Sequence, residues 1–135
     1  VTETYEITVH EAPHSNNRGG GGSRSNKYVA AKEKKRWEGL FLVEFMVAKV
    51  RKGMTFCAVE IELHFPRPNH RDEENFRQSV VKPLADALQQ GGYLPDDTSA
   101  EFKVRDLKLV EGEKPWPYGP FVRGYTKIRL EATYA

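Results

Sequence analysis

The sequence predicts a single α+β domain in which a small mixed β-sheet is covered by two main helices. Three observations predict it. Residues 54–65 alternate apolar and polar side chains along their whole length, as a strand with one buried face does. Residues 27–50 and 73–90 repeat apolar residues every three or four positions, as helices that bury one side do. The remaining short patterns give the order strand, helix, strand, helix, strand, strand. At 135 residues the chain reads as one domain, 1–135, able to bury a core without disulfides or a structural metal.

The first strand is expected at Glu6–His10, with Ile7 and Val9 on one face. Residues 12–26 form a glycine-rich polar stretch without a packing pattern and are expected to be a flexible loop. They lack the GK[ST] ending of a P-loop. The first helix is expected from Lys27 to about Val50, with Asn26 as its N-cap and Trp37, Leu40, Phe41, Phe45 and Ala48 as its apolar stripe. In the strand Met54–Phe65, Cys57, Val59, Ile61, Leu63 and Phe65 point to the core. Cys57 thus reads as a small core residue and His64, on the other face, as a surface histidine. Phe76, Val80, Leu84 and Leu88 define the second helix, within which Pro83 is expected to kink or divide the chain near 79–82. Gly91-Gly92 closes it. In Phe102–Leu109 the alternation slips between Val104 and Leu107, which predicts a bulge near Asp106. A proline-rich loop, 111–124, leads to a last strand, Thr126–Tyr134. In that loop the Trp116–Tyr118 stretch is expected to pack against the fold.

The composition narrows the functions available. With 39% hydrophobic and 30% charged residues, and no apolar run of about 18 residues, the chain reads as a polar-surfaced protein without a membrane span. One cysteine allows neither an intrachain disulfide nor a cysteine-based zinc site. The first residues lack a charged-then-apolar signal segment, and a cytoplasmic setting is expected. Net charge is only +2, yet Arg18, Arg24, Lys27, Lys32, Lys34, Lys35 and Arg36 stand against Glu33 alone, a local balance of +6. Such a segment is either a solvated helix face or a surface for a polyanion such as DNA.

The run "RDEEN", Arg71–Asn75, places three acidic residues where a strand hands over to a helix. Acidic residues suit a helix N-terminus because the dipole there is positive. A second pair, Asp96-Asp97, follows the same helix. If the flanking strands are neighbours and Pro83 shortens the path, the two clusters can converge at one sheet edge. Gathered carboxylates are tolerated around a divalent cation, and oxygen-only ligation suits Mg²⁺, with Mn²⁺ an alternative. Lys82 lies seven residues beyond Asn75, on the same helix face, where a lysine can stabilise charge on a phosphate.

The succession "RDEEN", "KPLADAL" (Lys82–Leu88) and "GGYLPDD" (Gly91–Asp97) resembles the RusA-like Holliday-junction resolvases, notably their phage and prophage members. "NNRGGGGSR" followed by "KKRWEGL" is similar to the polar loop and basic helix of the phage members. The likeness covers about 16–109. It implies that Asp72, Glu74 and Asp97 bind Mg²⁺ with Asp96 as a possible neighbour. Asn75 is then a supporting residue and Lys82 assists cleavage. The basic segment and Arg71 would contact DNA. It implies a homodimer, phage- or prophage-encoded, that cuts both strands of a four-way junction by phosphodiester hydrolysis. Glu74 departs from the family, standing where an aspartate is expected and moving its carboxylate outward by a methylene. Glu73 stays open as an alternative ligand. The other reading is a non-catalytic module that binds branched DNA and has lost cleavage through Glu74.

Overall fold

The computed structural model describes residues 1–13, 24–69, 71–95 and 101–135, with the backbone alone for 24–29. The order is β1 (Thr2–Val9), α1 (Arg24–Val47), β2 (Met54–Phe65), α2 (Glu74–Gln90), β3 (Phe102–Glu111) and β4 (Tyr125–Tyr134). The four strands form one mixed sheet in the order β1-β4-β2-β3. β4 is antiparallel to both β1 and β2, whereas β3 is parallel to β2. A parallel pair needs a crossover, and α2 supplies it. Among the described residues no helix is long and apolar enough to cross a membrane.

Both helices bury their apolar stripes on one face of the sheet. Trp37, Phe41 and Phe45 of α1 and Val80, Leu84 and Leu88 of α2 are at most 1% exposed. They meet Cys57, Val59, Ile61 and Leu63 of β2 and Ile128, Leu130 and Ala132 of β4. Cys57 is a core residue, and burial pushes its thiol up to about 12. The opposite face is left to charges, which pair across strands. Glu60 meets Arg129 at 3.8 Å, Glu62 meets Lys108 at 3.7 Å, and Arg105 meets Glu131 at 2.6 Å.

The slip in β3 is a bulge. Val59 pairs with Val104 and Glu60 with Asp106, so Arg105 is the extra residue. It returns Leu107 and Leu109 to the side already held by Phe102 and Val104, opposite Ile61 and Leu63.

Several boundaries differ from the sequence expectation. β1 begins at Thr2, because pairing with Ala132 and Thr133 of β4 supports residues whose own pattern is polar. α1 begins at Arg24, which puts Asn26 within the helix rather than at its cap. The loop expected at 12–26 thus ends before Arg24, and 14–23 lie outside the described residues. α2 is not divided at Pro83, whose ring is buried within a helix continuous from Glu74 to Gln90. Gly92 takes the left-handed φ of 76° just beyond that helix.

Gly124 marks a close approach between the loop before β4 and the segment that follows β1. A Cβ there would stand 2.7 Å from Ala12 Cβ and 3.1 Å from the His64 carbonyl oxygen, and neither can swing aside. Gly124→Ala is expected to cost about 1–3 kcal/mol. A thermal melt should fall by roughly 5–10 °C, and an unchanged melt would contradict the close packing of this corner.

Candidate functional site

The parallel crossover decides where "RDEEN" lies. β2 ends at Phe65 beside Glu111, the last residue of β3, and the chain then turns over the sheet edge into α2. Glu111 holds that turn. Its carboxylate accepts the Asn69 N–H at 2.6 Å and the Arg71 N–H at 2.7 Å, and lies 3.6 Å from the Arg71 guanidinium. Arg71 also spreads over the Phe65 ring at 3.9 Å and donates to the Arg67 carbonyl at 2.9 Å. These contacts fix the approach to Asp72.

Asp72 opens the helix. Its Oδ1 accepts the Glu74 N–H at 3.1 Å, and its carbonyl accepts the Asn75 N–H at 3.1 Å. Of the acidic run only Asp72 serves the helix start, through one oxygen; Glu73, at the N-cap position, makes no side-chain cap hydrogen bond. Asp72 and Asn75 line a cleft of about 620 Å³ at this sheet edge. Its other walls come from the segment that follows β1 (His10 to Pro13), from Phe65 and Phe76, and from Phe121 and Arg123 before β4. Glu74 does not line the cleft; its carboxylate is 66% exposed and lies 3.6 Å from Arg77, one turn along α2.

Beyond the cleft, α2 continues as a polar stripe. Asn75, Ser79, Lys82 and Asp86 follow one another by four, three and four residues, the spacing of one helix face. Asp86 is a centre the sequence reading passed over. Its carboxylate is 14% exposed and receives Lys34 of α1 at 2.8 Å and Lys82 at 3.3 Å. Burial pushes the Asp86 carboxyl up, but the two lysines outweigh it and hold it below the ordinary aspartate value. The i, i+4 spacing of Lys82 and Asp86 was the available signal; the contribution of Lys34 needed the fold.

The expected cations divide into two groups. Lys34 is bound to Asp86, and Arg36 makes a two-pronged contact with Glu11 at 2.8 Å and a second with Glu33 at 2.6 Å. These hydrogen bonds raise the Arg36 pKa further above its usual value. Lys32 and Lys35 are exposed, with no ion-pair partner among the described residues. Arg18 lies outside the described residues, and of Arg24 and Lys27 only the helical backbone is described.

Asp96 and Asp97 also lie outside the described residues. The residues that bracket them do not. Tyr93 accepts from Met54 N at 2.8 Å and Glu101 from Cys57 N at 2.8 Å, both at the start of β2. The strands are neighbours, which meets the first condition for convergence, but parallel pairing sets Phe102 beside Cys57 and not beside Phe65. The undivided α2 then keeps this end about 25 Å from Asp72. The convergence expected through Pro83 is not what the described flanks show. Among the described residues, no group of three or more His, Cys, Asp or Glu side chains gathers as a metal site does.

His64 corrects another expectation. It is 8% exposed, not a surface histidine. Nδ1 lies 2.6 Å from Glu113 and Nε2 2.9 Å from Glu62, while the ring stacks on Tyr125 at 4.2 Å. Tyr125 donates to both oxygens of Glu113 at 2.8 and 3.0 Å. Trp116 and Tyr118 pack beside Tyr125, and Trp116 Nε1 donates to the Val122 carbonyl at 3.0 Å. The aromatic stretch packs, as expected, and ties the 111–124 loop to the rim of the cleft.

No known family model matches the chain, and no curated protein matches it.

Replacing Asp86 by Asn should lower stability by about 1 kcal/mol at neutral pH, the lysines being partly solvated. Because the folded pKa of Asp86 is depressed, its contribution is complete above the unfolded value near about 3.9 and is lost as pH falls through the lower folded value. Denaturant melts of the two proteins should therefore differ at pH 7 and converge at strongly acidic pH. A gap that persists in acid would mean that packing, not charge, makes Asp86 stabilising.

Proposed function

We propose that this chain is a Mg²⁺-dependent, structure-selective DNA endonuclease that resolves four-way junctions as a homodimer. The observation that carries the reading is the polar face that begins at the cleft with Asp72 and Asn75 and continues to Lys82, clamped by Asp86 beside Lys34. Residue types and order are those that the resemblance to RusA-like resolvases implies.

The donor chemistry suits a hard cation. Asp72 and Asn75 offer oxygens at the cleft, and the cap fixes Asp72 while using only Oδ1. Bound Mg²⁺ would neutralise phosphate charge and make water a better nucleophile there. The chain's own part is orientation. Glu111 sets the turn, the start of α2 sets Asp72, and Asp86 steers the Lys82 ammonium along the helix. Lys82 and the exposed Lys32 and Lys35 supply positive charge for a phosphate backbone.

The distance between the two ends of α2 bears on assembly. The described flanks of Asp97 sit at the far end of α2, about 25 Å from Asp72. The homodimer is what the resemblance implies, and a centre that uses both Asp72 and Asp97 would then draw them from two chains. A second reading has one observation in its favour. Glu74, in place of the family's aspartate, reaches Arg77 and not the cleft, as in a module that binds branched DNA without cutting it.

Subunit mixing separates these readings. Asp72→Asn and Asp97→Asn should each abolish cleavage with folding and junction binding retained. Mixed dimers should regain nicking, because one of the two shared centres is then intact. Mixtures that stay inactive while the wild type cuts would contradict a shared centre, and normal cutting by either variant would remove that residue from the chemistry. If the wild type binds junctions but never cuts, and Glu74→Asp restores cutting, the non-catalytic reading stands.

Phosphate contacts also predict a salt response. Log affinity for DNA should fall linearly with log salt, with a slope of roughly 0.9 per phosphate engaged on duplex. A flat response would exclude the basic helix as a DNA surface.

A further inference from the structure

The loop before β4 presents a feature that capping, packing and the acidic residues leave unused. Phe121 is 96% exposed, the most exposed large apolar side chain among the described residues. Leaving a phenyl ring in water forgoes about 1.5–3 kcal/mol of burial. The ring is not there because the chain around it is loose. Val122 N donates to the Gly119 carbonyl at 3.1 Å, closing a turn that has Pro120 and Phe121 at its centre. The Val122 carbonyl is held by Trp116, Gly124 is packed against Ala12 and His64, and Glu113 is held by His64 and Tyr125. Phe121 is displayed from a pinned turn.

Arg123 stands two residues away and is exposed, with no ion-pair or hydrogen-bond partner among the described residues. Both residues line the same cleft as Asp72 and Asn75. The other charges of that cleft are largely committed: Glu11 to Arg36, and Arg71 to Glu111 and the Phe65 ring. What the cleft offers a ligand is an uncommitted guanidinium, an open aromatic face and a carboxylate. A nucleotide matches this set, with a phosphate for Arg123 and a base for Phe121. A paired, stacked base cannot offer its face, so the partner is a strand with at least one unstacked base.

We propose that Phe121 and Arg123 form a lip that grips an unpaired nucleotide next to the acidic site, Phe121 stacking on the base and Arg123 holding the adjacent phosphate. The proposal rests on the nuclease reading, names residues outside its acidic and lysine positions, and makes the recognised feature of branched DNA an unstacked nucleotide.

The test uses the full chain in EDTA, so that binding is measured without cleavage. The probes are a four-way junction with 2-aminopurine at the branch point, a single-stranded oligothymidine and a linear duplex. Wild type should brighten the 2-aminopurine, as a base drawn out of the stack does, and bind the single strand. Phe121→Ala should lose the brightening and bind the single strand about 5- to 150-fold more weakly, as stacking on one base predicts. Phe121→Trp should retain both. Arg123→Gln should lower the salt slope on single strands by about 0.7, one phosphate's worth. Circular dichroism melts confirm that each variant is folded. If wild type binds the junction and Phe121→Ala binds every probe equally well, the lip is overturned while the nuclease reading survives. If wild type binds no DNA, both fall. If Phe121→Ala instead turns a dimer into a monomer in sedimentation, Phe121 is a contact between chains and the lip is again overturned.

Discussion

The parallel pairing of β2 with β3 is the constraint on which the rest of this structure depends. A parallel neighbour cannot be reached by a tight turn, so the chain must climb over one sheet edge, descend as α2 and re-enter at the other. That path puts the acidic run at the edge where β2 and β3 end and β4 begins. It brings Phe65, Glu111, the end of β1 and the loop before β4 together around Asp72. It also sends the residues flanking Asp96-Asp97 to the opposite edge. The same βαβ geometry that builds the cleft therefore keeps the second acidic pair's flanks away from it.

Carboxylates hold this edge and the helix pair behind it together, and they do so by different means. Glu111 accepts backbone N–H groups and fixes the turn into α2. Glu113 lies between His64 and Tyr125 and fixes the opposite wall. Glu11 holds Arg36 of α1 against the end of β1, and Asp86 joins the two helices through Lys34 and Lys82. A half-buried carboxylate is stable only where donors surround it, so each of these groups reports a local supply of positive charge or N–H donors. Against that background Phe121 and Arg123 stand apart, because the fold displays them and does not use them.

Much of the fold was legible in the sequence because its strongest patterns are periodic. β2 appears with the bounds its alternation implies, and spacing selected Trp37, Phe41 and Phe45 of α1 and Phe76, Val80, Leu84 and Leu88 of α2, all of them buried, whereas Leu40 is only partly buried and Ala48 lies beyond the end of α1. The slip between Val104 and Leu107 was readable as a bulge because a period-two pattern cannot change parity without an extra residue. The misses share a cause, which is that tertiary contacts overrule local pattern. Residues 2–5 carry a polar pattern and become a strand only through β4. Pro83 suggested a break, yet the packing of Val80, Leu84 and Leu88 holds the helix continuous around it. His64 sat on the polar side of an alternating strand, and only the 111–124 loop, folded back over that side, buries it. At the candidate site, Asp72, Asn75 and Lys82 were visible as a motif, and Asp86 was readable beside Lys82. Lys34, Glu111, Phe121 and Arg123 come from elements far apart in sequence, and no local signal joins them.

The most direct test of the account is whether the purified protein cuts a labelled four-way junction in Mg²⁺, with linear duplex and EDTA as controls. Paired, symmetric nicks on the junction alone are predicted, with none on duplex and none in EDTA. A protein that neither binds nor cuts the junction in Mg²⁺ or Mn²⁺ would contradict the account, and would leave "RDEEN" as the acidic cap of a helix and nothing more.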